Sequence, residues 1–251
     1  MSGDESVRRR GARYTPPVPD LFQSDEEFHR VQAADAELLY NARFDLGTPA
    51  ADVLSELIEC TPWRSDSVVL WGRTYLQPRL TAWYGDEDAR YEYSGLELDP
   101  LPWTPRLLAI KASVERAAGS RFNSVLLNYY RNERASMGMH SDDEPELGAE
   151  PVIASLSLGE ARTLVFRHRS DRSRKCIRIE LGDGSLLLMR GATQSNWKHG
   201  IAKERRPCGA RVNLTFRRIV RQAAPASDDR GGHGPDDSFV PDAQLHRLPD
   251  A

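Results

Sequence analysis

Six consecutive residues, Met139-His140-Ser141-Asp142-Asp143-Glu144, set an imidazole and a carboxylate two positions apart. In an extended chain, positions i and i+2 point to the same side, so His140 and Asp142 can offer a nitrogen and an oxygen to one point. Asn196-Trp197-Lys198-His199 supplies a second imidazole. Two histidines and one carboxylate on one face of a metal, with the opposite positions open, suit a non-haem Fe(II) that handles oxygen. A dozen residues on, Arg211-Val212-Asn213-Leu214-Thr215-Phe216-Arg217 reads as a strand. Arg211, Asn213, Thr215 and Arg217 line one face, and Val212, Leu214 and Phe216 line the other. Two guanidinium groups with hydrogen-bonding residues between them fit a buried dicarboxylate, because Arg pairs carboxylates bidentately. Singly, each feature is ordinary: a His-x-Asp pair, a lone later His, an Arg-flanked edge strand. The specificity lies in their order and in the hydrophobic segments between them.

Strands must carry these residues. From residue 122 onward the pattern predicts strands at 122–130, 152–158, 162–168, 176–181, 185–189 and 211–220, punctuated by Gly182-Asp183-Gly184 and Gly191. So many strands without intervening helices predict a mainly β protein, a jelly roll with flanking helices packed outside. In the first strand Asn128 and Tyr130 share a face, where an amide and a phenol could complete a carboxylate site. Two helices are expected earlier in the chain. One runs over 48–60, with Pro49 in its first turn and Val53, Leu54, Leu57 and Ile58 at helical spacing, and stops at Thr61-Pro62. The other opens at Thr104-Pro105, carries Leu107, Ile110, Val114 and Ala117, and ends at Gly119. A further helical pattern starts around 24–28.

Between the two helices, aromatic residues alternate with Arg64, Arg73 and Arg79. This pattern suggests twisted strands or a hairpin. Trp63, Trp83 and Tyr84 read as core, whereas Tyr91 and Tyr93 share a face suited to base stacking. The run Arg167-His168-Arg169-Ser170-Asp171-Arg172-Ser173-Arg174-Lys175 reads as a solvated hairpin tip, and as a cluster it suits a phosphate backbone. Residues 1–20 and 222–251 lack periodicity and are expected to be disordered tails; His29, His233 and His246 fall outside the core pattern.

The formal net charge of −3 conceals a division. Between residues 105 and 220 there are 21 Lys and Arg against 12 Asp and Glu, a formal +9, which leaves −12 for the rest. A basic body with acidic flanks permits nucleic-acid binding, because local clustering matters more than total charge. No apolar run approaches the roughly 20 residues that span a bilayer, so no membrane partner is expected. The N-terminus lacks the apolar segment of a secretory signal and reads as cytoplasmic, or nuclear in a eukaryote. Cys60, Cys176 and Cys208 have no metal spacing, and reduced thiols agree with a compartment that keeps iron ferrous.

At these residues the chain resembles the AlkB family of Fe(II)- and 2-oxoglutarate-dependent nucleic-acid dealkylases. The likeness spans about residues 62–219. It rests on Gln77-Pro78-Arg79-Leu80-Thr81-Ala82-Trp83-Tyr84-Gly85, on Asn128-Tyr129-Tyr130-Arg131-Asn132-Glu133, and on His140-Ser141-Asp142-Asp143-Glu144. Pro151-Val152-Ile153-Ala154-Ser155-Leu156-Ser157, Gly191-Ala192-Thr193-Gln194 and the strand from Arg211 to Arg217 complete it. Three of these runs are similar to the human AlkB homologue that prefers single-stranded nucleic acid. Leu70-Trp71-Gly72-Arg73 looks more like the hydrophobic finger of the duplex-preferring relative, and Gly138-Met139 departs from both.

The resemblance implies a double-stranded β-helix of residues 104–221 under N-terminal helices and a nucleotide-recognition lid, residues 21–103. It implies Fe(II) on the catalytic ligands His140, Asp142 and His199, with O2 as oxidant. 2-Oxoglutarate falls to Asn128, Tyr130, Arg211, Asn213, Thr215 and Arg217, with Arg211 on the distal carboxylate and Arg217 near the keto-acid end. Tyr91, Glu92 and Tyr93, with Asp143 and Glu144, match substrate contacts. The implied reaction is oxidative demethylation of bases such as 1-methyladenine and 3-methylcytosine in DNA or RNA, as direct repair of DNA damage. The keto acid becomes succinate and CO2, and formaldehyde is released. The expected partner is single-stranded alkylated nucleic acid, bound by a monomer. Two rivals stand beside this reading: a related oxygenase hydroxylating a protein or small molecule, and a non-catalytic binder of damaged nucleic acid.

Overall fold

The computed structural model describes residues 27–65, 67–70, 73–89, 91–93 and 96–220, with the backbone alone for 68–70, 73–75, 91–93 and 96–98. The expected tails at 1–20 and 222–251, with His233 and His246, lie outside the described residues, as do Trp71 and Gly72. Two antiparallel sheets face each other. The larger is built from β1 (His29–Val31), β2 (Glu37–Asn41), β5 (Leu80–Gly85), β8 (Ser124–Tyr130), β10 (Ile153–Gly159), β13 (Ser185–Arg190) and β15 (Arg211–Arg217). Their order across the sheet is β1-β2-β13-β10-β15-β8-β5. The smaller runs β12 (Ile177–Leu181), β11 (Arg162–His168), β14 (Trp197–Ile201), β9 (Met137–His140). Two hairpins, β3 (Ser67–Leu70) with β4 (Arg73–Leu76) and β6 (Tyr91–Tyr93) with β7 (Leu96–Leu98), lie between the helices in sequence. This is the jelly roll that the strand pattern predicts.

Both faces of the large sheet are buried, which explains why its central strands read as near-continuous apolar runs. On β13, Leu186 and Leu188 belong to the outer cluster, while Leu187 and Met189 belong to the cluster between the sheets. The outer face is covered by α1 (Ala50–Cys60) and α2 (Pro105–Ala118), which bury Val53 and Leu57, and Leu107, Ile110 and Val114. Thr104 caps α2 by accepting from the Leu107 N–H at 3.2 Å, Pro105 opens it, and Gly119 closes it with φ 58°. Val212, Leu214 and Phe216 of β15 join this outer cluster, so the alternate residues must face inward.

The helical pattern around residues 24–28 gives way to strand. Glu27 and Phe28 lie outside any helix, residues 24–26 lie outside the described residues, and β1 pairs with β2 (His29↔Tyr40, Val31↔Leu38). Through β2 this hairpin extends the large sheet, because pairing of Leu38 with Met189 and Tyr40 with Leu187 buries apolar side chains that a helix would leave facing solvent. Three short elements near the site also went unread in the sequence: β9, β14 and the single turn α3 (Thr193–Asn196). Among the described residues no helix is long and apolar enough to cross a membrane.

Candidate metal and co-substrate site

The inward face of the large sheet assembles a polar row by register. Arg211 pairs with Tyr130 and Asn213 with Asn128 across β15 and β8, while Asn213 pairs with Ser157 and Thr215 with Ser155 across β15 and β10. Hydrogen bonds lock the row. The Asn213 amide donates to Ser155 Oγ at 2.8 Å and to the Leu156 carbonyl at 2.9 Å; Thr215 Oγ1 donates to Asn213 Oδ1 at 2.9 Å. Arg79 Nε donates to Asn128 Oδ1 at 2.7 Å, which turns the Asn128 NH2 toward the remaining space.

Arg211 is 1% exposed; its Nη2 donates to Ser157 Oγ at 2.9 Å, and its guanidinium carbon lies 4.9 Å from the Tyr130 ring centroid. Its Nε and Nη1 have no hydrogen-bond partner among the described residues. A buried guanidinium with two open donors fits a carboxylate. Burial pushes its pKa below the ordinary range, and the Arg162 charge nearby works the same way against an opposing contribution from Tyr130.

On the opposing sheet, β14 brings His199 against β9. The register runs His199↔His140 and then Ile201↔Met137, so β9 holds one residue more than its partner. This bulge at Gly138–Met139 lets Met137 and His140, three apart, face the same interior. Strict alternation would send them to opposite faces. His140 Nδ1 lies 3.0 Å from the Gly138 carbonyl. A carbonyl only accepts, so Nδ1 carries the proton and Nε2 presents a lone pair.

Asp142 completes the group. The ligand atoms of His140, Asp142 and His199 lie within 4.8 Å of one another. His140 Nε2 is 3.7 Å from Asp142 Oδ1, His199 Nε2 is 3.9 Å from Asp142 Oδ2, and the two rings are 4.4 Å apart. Arg217 Nη2 donates to Asp142 Oδ1 at 2.8 Å, while the buried Oδ2 has no hydrogen-bond partner. Burial alone would raise the Asp142 pKa, but Arg217 and the two imidazoles outweigh it and hold it down to about 2. Burial lowers the His199 pKa to about 3, with the His140 charge adding to the shift against the pull of Asp142. Around neutral pH this leaves one carboxylate and an unprotonated His199, the protonation states that a divalent metal needs.

The residues now in hand match a known pattern along most of the chain: the family model described as the 2OG-Fe(II) oxygenase superfamily covers residues 46–217. Human DNA oxidative demethylase ALKBH2 is 34% identical over 230 residues, covering 88% of this chain and 87% of that protein. The chain belongs to the AlkB family of 2OG-Fe(II) oxygenases. Alpha-ketoglutarate-dependent dioxygenase alkB homolog 3 is 41% identical over 197 residues in the rat and 43% over 175 residues in the human. These alignments cover 75% and 66% of this chain, which spans 64% and 60% of those two proteins. Among solved structures, OsALKBH1 superposes with a TM-score of 0.52 at 15% identity over 76% of this chain and 99% of that one. A prolyl hydroxylase from Trichoplax adhaerens gives 0.51 at 12% over 72% of this chain and 83% of its own, a likeness of fold alone.

Within this oxygenase core, several positioning residues escaped the sequence reading. Gln194, 1% exposed, accepts the Asp142 N–H through Oε1 at 3.0 Å and so holds the backbone behind the carboxylate ligand. Ser155 and Ser157 hold Asn213 and Arg211; their alternation with Ala154, Leu156 and Leu158 was the signal available. The two acids after Asp142 separate. Asp143 is ion-paired with Arg169, which also donates to the Gln194 carbonyl at 3.3 Å, whereas the buried Glu144 Oε2 has no hydrogen-bond partner. A cleft of about 660 Å³ opens along Asp143, Arg169, Gln194 and Asn196. Tyr91, Glu92 and Tyr93 form β6, and their side chains lie outside the described residues.

Proposed function

We propose that the protein oxidatively removes methyl groups from N-alkylated bases such as 1-methyladenine and 3-methylcytosine in DNA or RNA, with preference for single strands. The carrying observation is the convergence of His140, Asp142 and His199 beside an inward row that runs from Arg217 to a buried Arg211 with open donors. In this reading the three ligands hold Fe(II), Arg211 receives the distal carboxylate of 2-oxoglutarate, and Asn128, Tyr130, Asn213, Thr215 and Arg217 line its path. When bound, iron would use O2 and the keto acid, which leaves as succinate and CO2, to supply an oxidant able to take hydrogen from an N-methyl group, which no side-chain acid or base can do.

The chain's own residues supply the rest. Arg217 keeps Asp142 ionised and turned toward the imidazoles, and the Gly138 carbonyl keeps His140 in its ligating tautomer. Burial of Arg211 strengthens its pull on an anionic partner. Bases methylated at adenine N1 or cytosine N3 are cationic, so a carboxylate near the entrance favours them over intact bases. Of the two candidates, Glu144 is better suited, because Asp143 is already neutralised by Arg169. A methylated base has lost its pairing, so extrusion costs less. Tyr91, Glu92 and Tyr93 would receive it from the lid side. The basic hairpin at 167–175 suits the backbone of the strand. Of the relatives, the name of ALKBH2 describes DNA oxidative demethylation, which supports the same substrate class here. The reading includes a monomer working in the cytoplasm or nucleus, where iron stays ferrous and the three free cysteines stay reduced.

The test is formaldehyde and succinate yield on single- and double-stranded oligonucleotides carrying defined methyl lesions. Wild-type protein is expected to release both, most with single strands, and His140→Ala to release neither. Turnover by His140→Ala with ordinary iron affinity would refute the ligand assignment; wild-type inactivity on every methylated oligonucleotide would refute the substrate class.

A further inference from the structure

A second buried guanidinium lies at the Arg211 end of the interior, and the proposed reaction gives it no task. Arg162 opens β11, is 1% exposed, and faces inward with Leu164 and Phe166. Its Nη2 donates to the Ala135 carbonyl at 2.9 Å and the Ala202 carbonyl at 2.6 Å. Nε lies 3.3 Å from the carboxylate of Glu204, a side chain 42% exposed, and the buried Nη1 has no hydrogen-bond partner. The Arg162 guanidinium carbon stands 5.6 Å from the centroid of Tyr130, the same ring that Arg211 approaches to 4.9 Å.

Two guanidinium groups buried against one ring repel each other, although each is drawn to the ring. Each has given up water, each retains donors without acceptors, and the Glu204 carboxylate beside Arg162, partly in solvent, offsets only part of its charge. Such an arrangement gains when an anion enters beside it. A neutral residue at 162 would leave Arg211 to hold a carboxylate alone. A second positive charge deepens the potential there without offering a second contact. The placement on Tyr130 also fixes the ring that forms one wall of the row.

We propose that Arg162 is a positioning residue for the co-substrate: acting across the Tyr130 ring beside Arg211, it makes the pocket select a keto diacid over a keto acid lacking the far carboxylate. This rests on the 2-oxoglutarate reading of the Arg211 row. The competing structural role is a clasp, because the same guanidinium ties the loop after β8 at Ala135 to the loop after β14 at Ala202.

The two roles separate in equilibrium binding. Metal-loaded protein is titrated anaerobically with 2-oxoglutarate and with 2-oxobutyrate, which has the same keto-acid head and no far carboxylate, and the ratio of dissociation constants is read. Wild-type protein is expected to prefer the diacid. Arg162→Gln keeps hydrogen-bonding capacity and loses the charge; it is expected to shrink the ratio by about tenfold, chiefly by weakening 2-oxoglutarate. Arg162→Lys keeps the charge and should retain most of the ratio. An unchanged ratio in Arg162→Gln, or equal weakening of both keto acids, would leave only the clasp and overturn the proposal. Should Arg162→Gln fail to fold, Glu204→Gln tests the same charge from a more exposed position. Removing the counter-charge should widen the ratio, and a ratio that stays put overturns the proposal. If wild-type protein bound neither keto acid, the co-substrate reading itself would fall, an outcome distinct from either.

Discussion

Gly200 sits between the two histidines' strands, and replacing it with alanine should damage metal binding without touching a ligand. An added Cβ would lie 2.9 Å from the Gly138 carbonyl oxygen, 2.9 Å from the Met137 carbonyl oxygen and 3.1 Å from the Gly138 carbonyl carbon. All three are backbone atoms, so no flexible side chain can yield. Reaching ordinary contact requires β9 to move about half an ångström from β14, and overpacking of this kind typically costs about 1–3 kcal/mol. The displaced segment carries His140, whose ring must stay within about 0.2 Å of its ligating position. Divalent-metal affinity is therefore expected to fall by about tenfold to a hundredfold, the range seen when support behind a ligand is lost. Gly138→Ala is the control: it lies in the same bulge, and a Cβ there meets nothing within 4 Å. Anaerobic calorimetry of metal binding, paired with thermal unfolding of the metal-free proteins, gives both quantities. Wild-type metal affinity in Gly200→Ala, or an equal loss in Gly138→Ala, would refute the argument that close approach of β9 and β14 sets the site.

Other expectations follow from individual contacts. Glu144→Gln should lower formaldehyde release from 1-methyladenine about tenfold or more while sparing an uncharged methylated base, since one partly buried carboxylate near a cation carries about that much. Asp143→Asn should cost less because Arg169 already pairs that acid; the reverse ranking would sink the assignment. In the metal-free protein, Asp142 has a folded pKa of about 2 against an ordinary 3.8, so its contribution is full above 3.8 and disappears as pH falls through 2. His199, held down to about 3 from 6.5, refuses a proton that the unfolded chain accepts, so stability should decline as pH drops below 6.5. Urea midpoints from pH 7 to 4 test this; a flat profile, or the same slope in His199→Gln, would contradict it. Thr104→Ala should cost about 1 kcal/mol in unfolding free energy by removing the α2 cap, with keto-acid affinity unchanged.

What the sequence made legible was the chemistry that obeys a short period. The alternation of β15 survives intact, because both its faces are buried and a one-residue slip would exchange guanidinium groups with Phe216 and Leu214. The same argument covers Asn128 and Tyr130, whose register opposite Asn213 and Arg211 follows once β8 and β15 are neighbours. What stayed hidden depends on broken periods and long-range partners. The bulge at Gly138–Met139 defeats alternation, so no pattern in Met137–His140 could say that both ends face inward. The β1–β2 hairpin is too short and mixed to outweigh a helical pattern locally; it exists because β13 offers an edge that buries Leu38 and Tyr40. Gln194 reads as one polar residue in a turn until Asp142 is known to lie against it. Arg162 reads as an ordinary charge at a strand start until its guanidinium is found on the Tyr130 ring. The division has a physical basis. Ligands must be of fixed chemical type and so show in the sequence, whereas the groups that hold them need only supply a donor, an acceptor or an absent side chain. Many residue types can meet that need, and Gly200 meets it with a hydrogen.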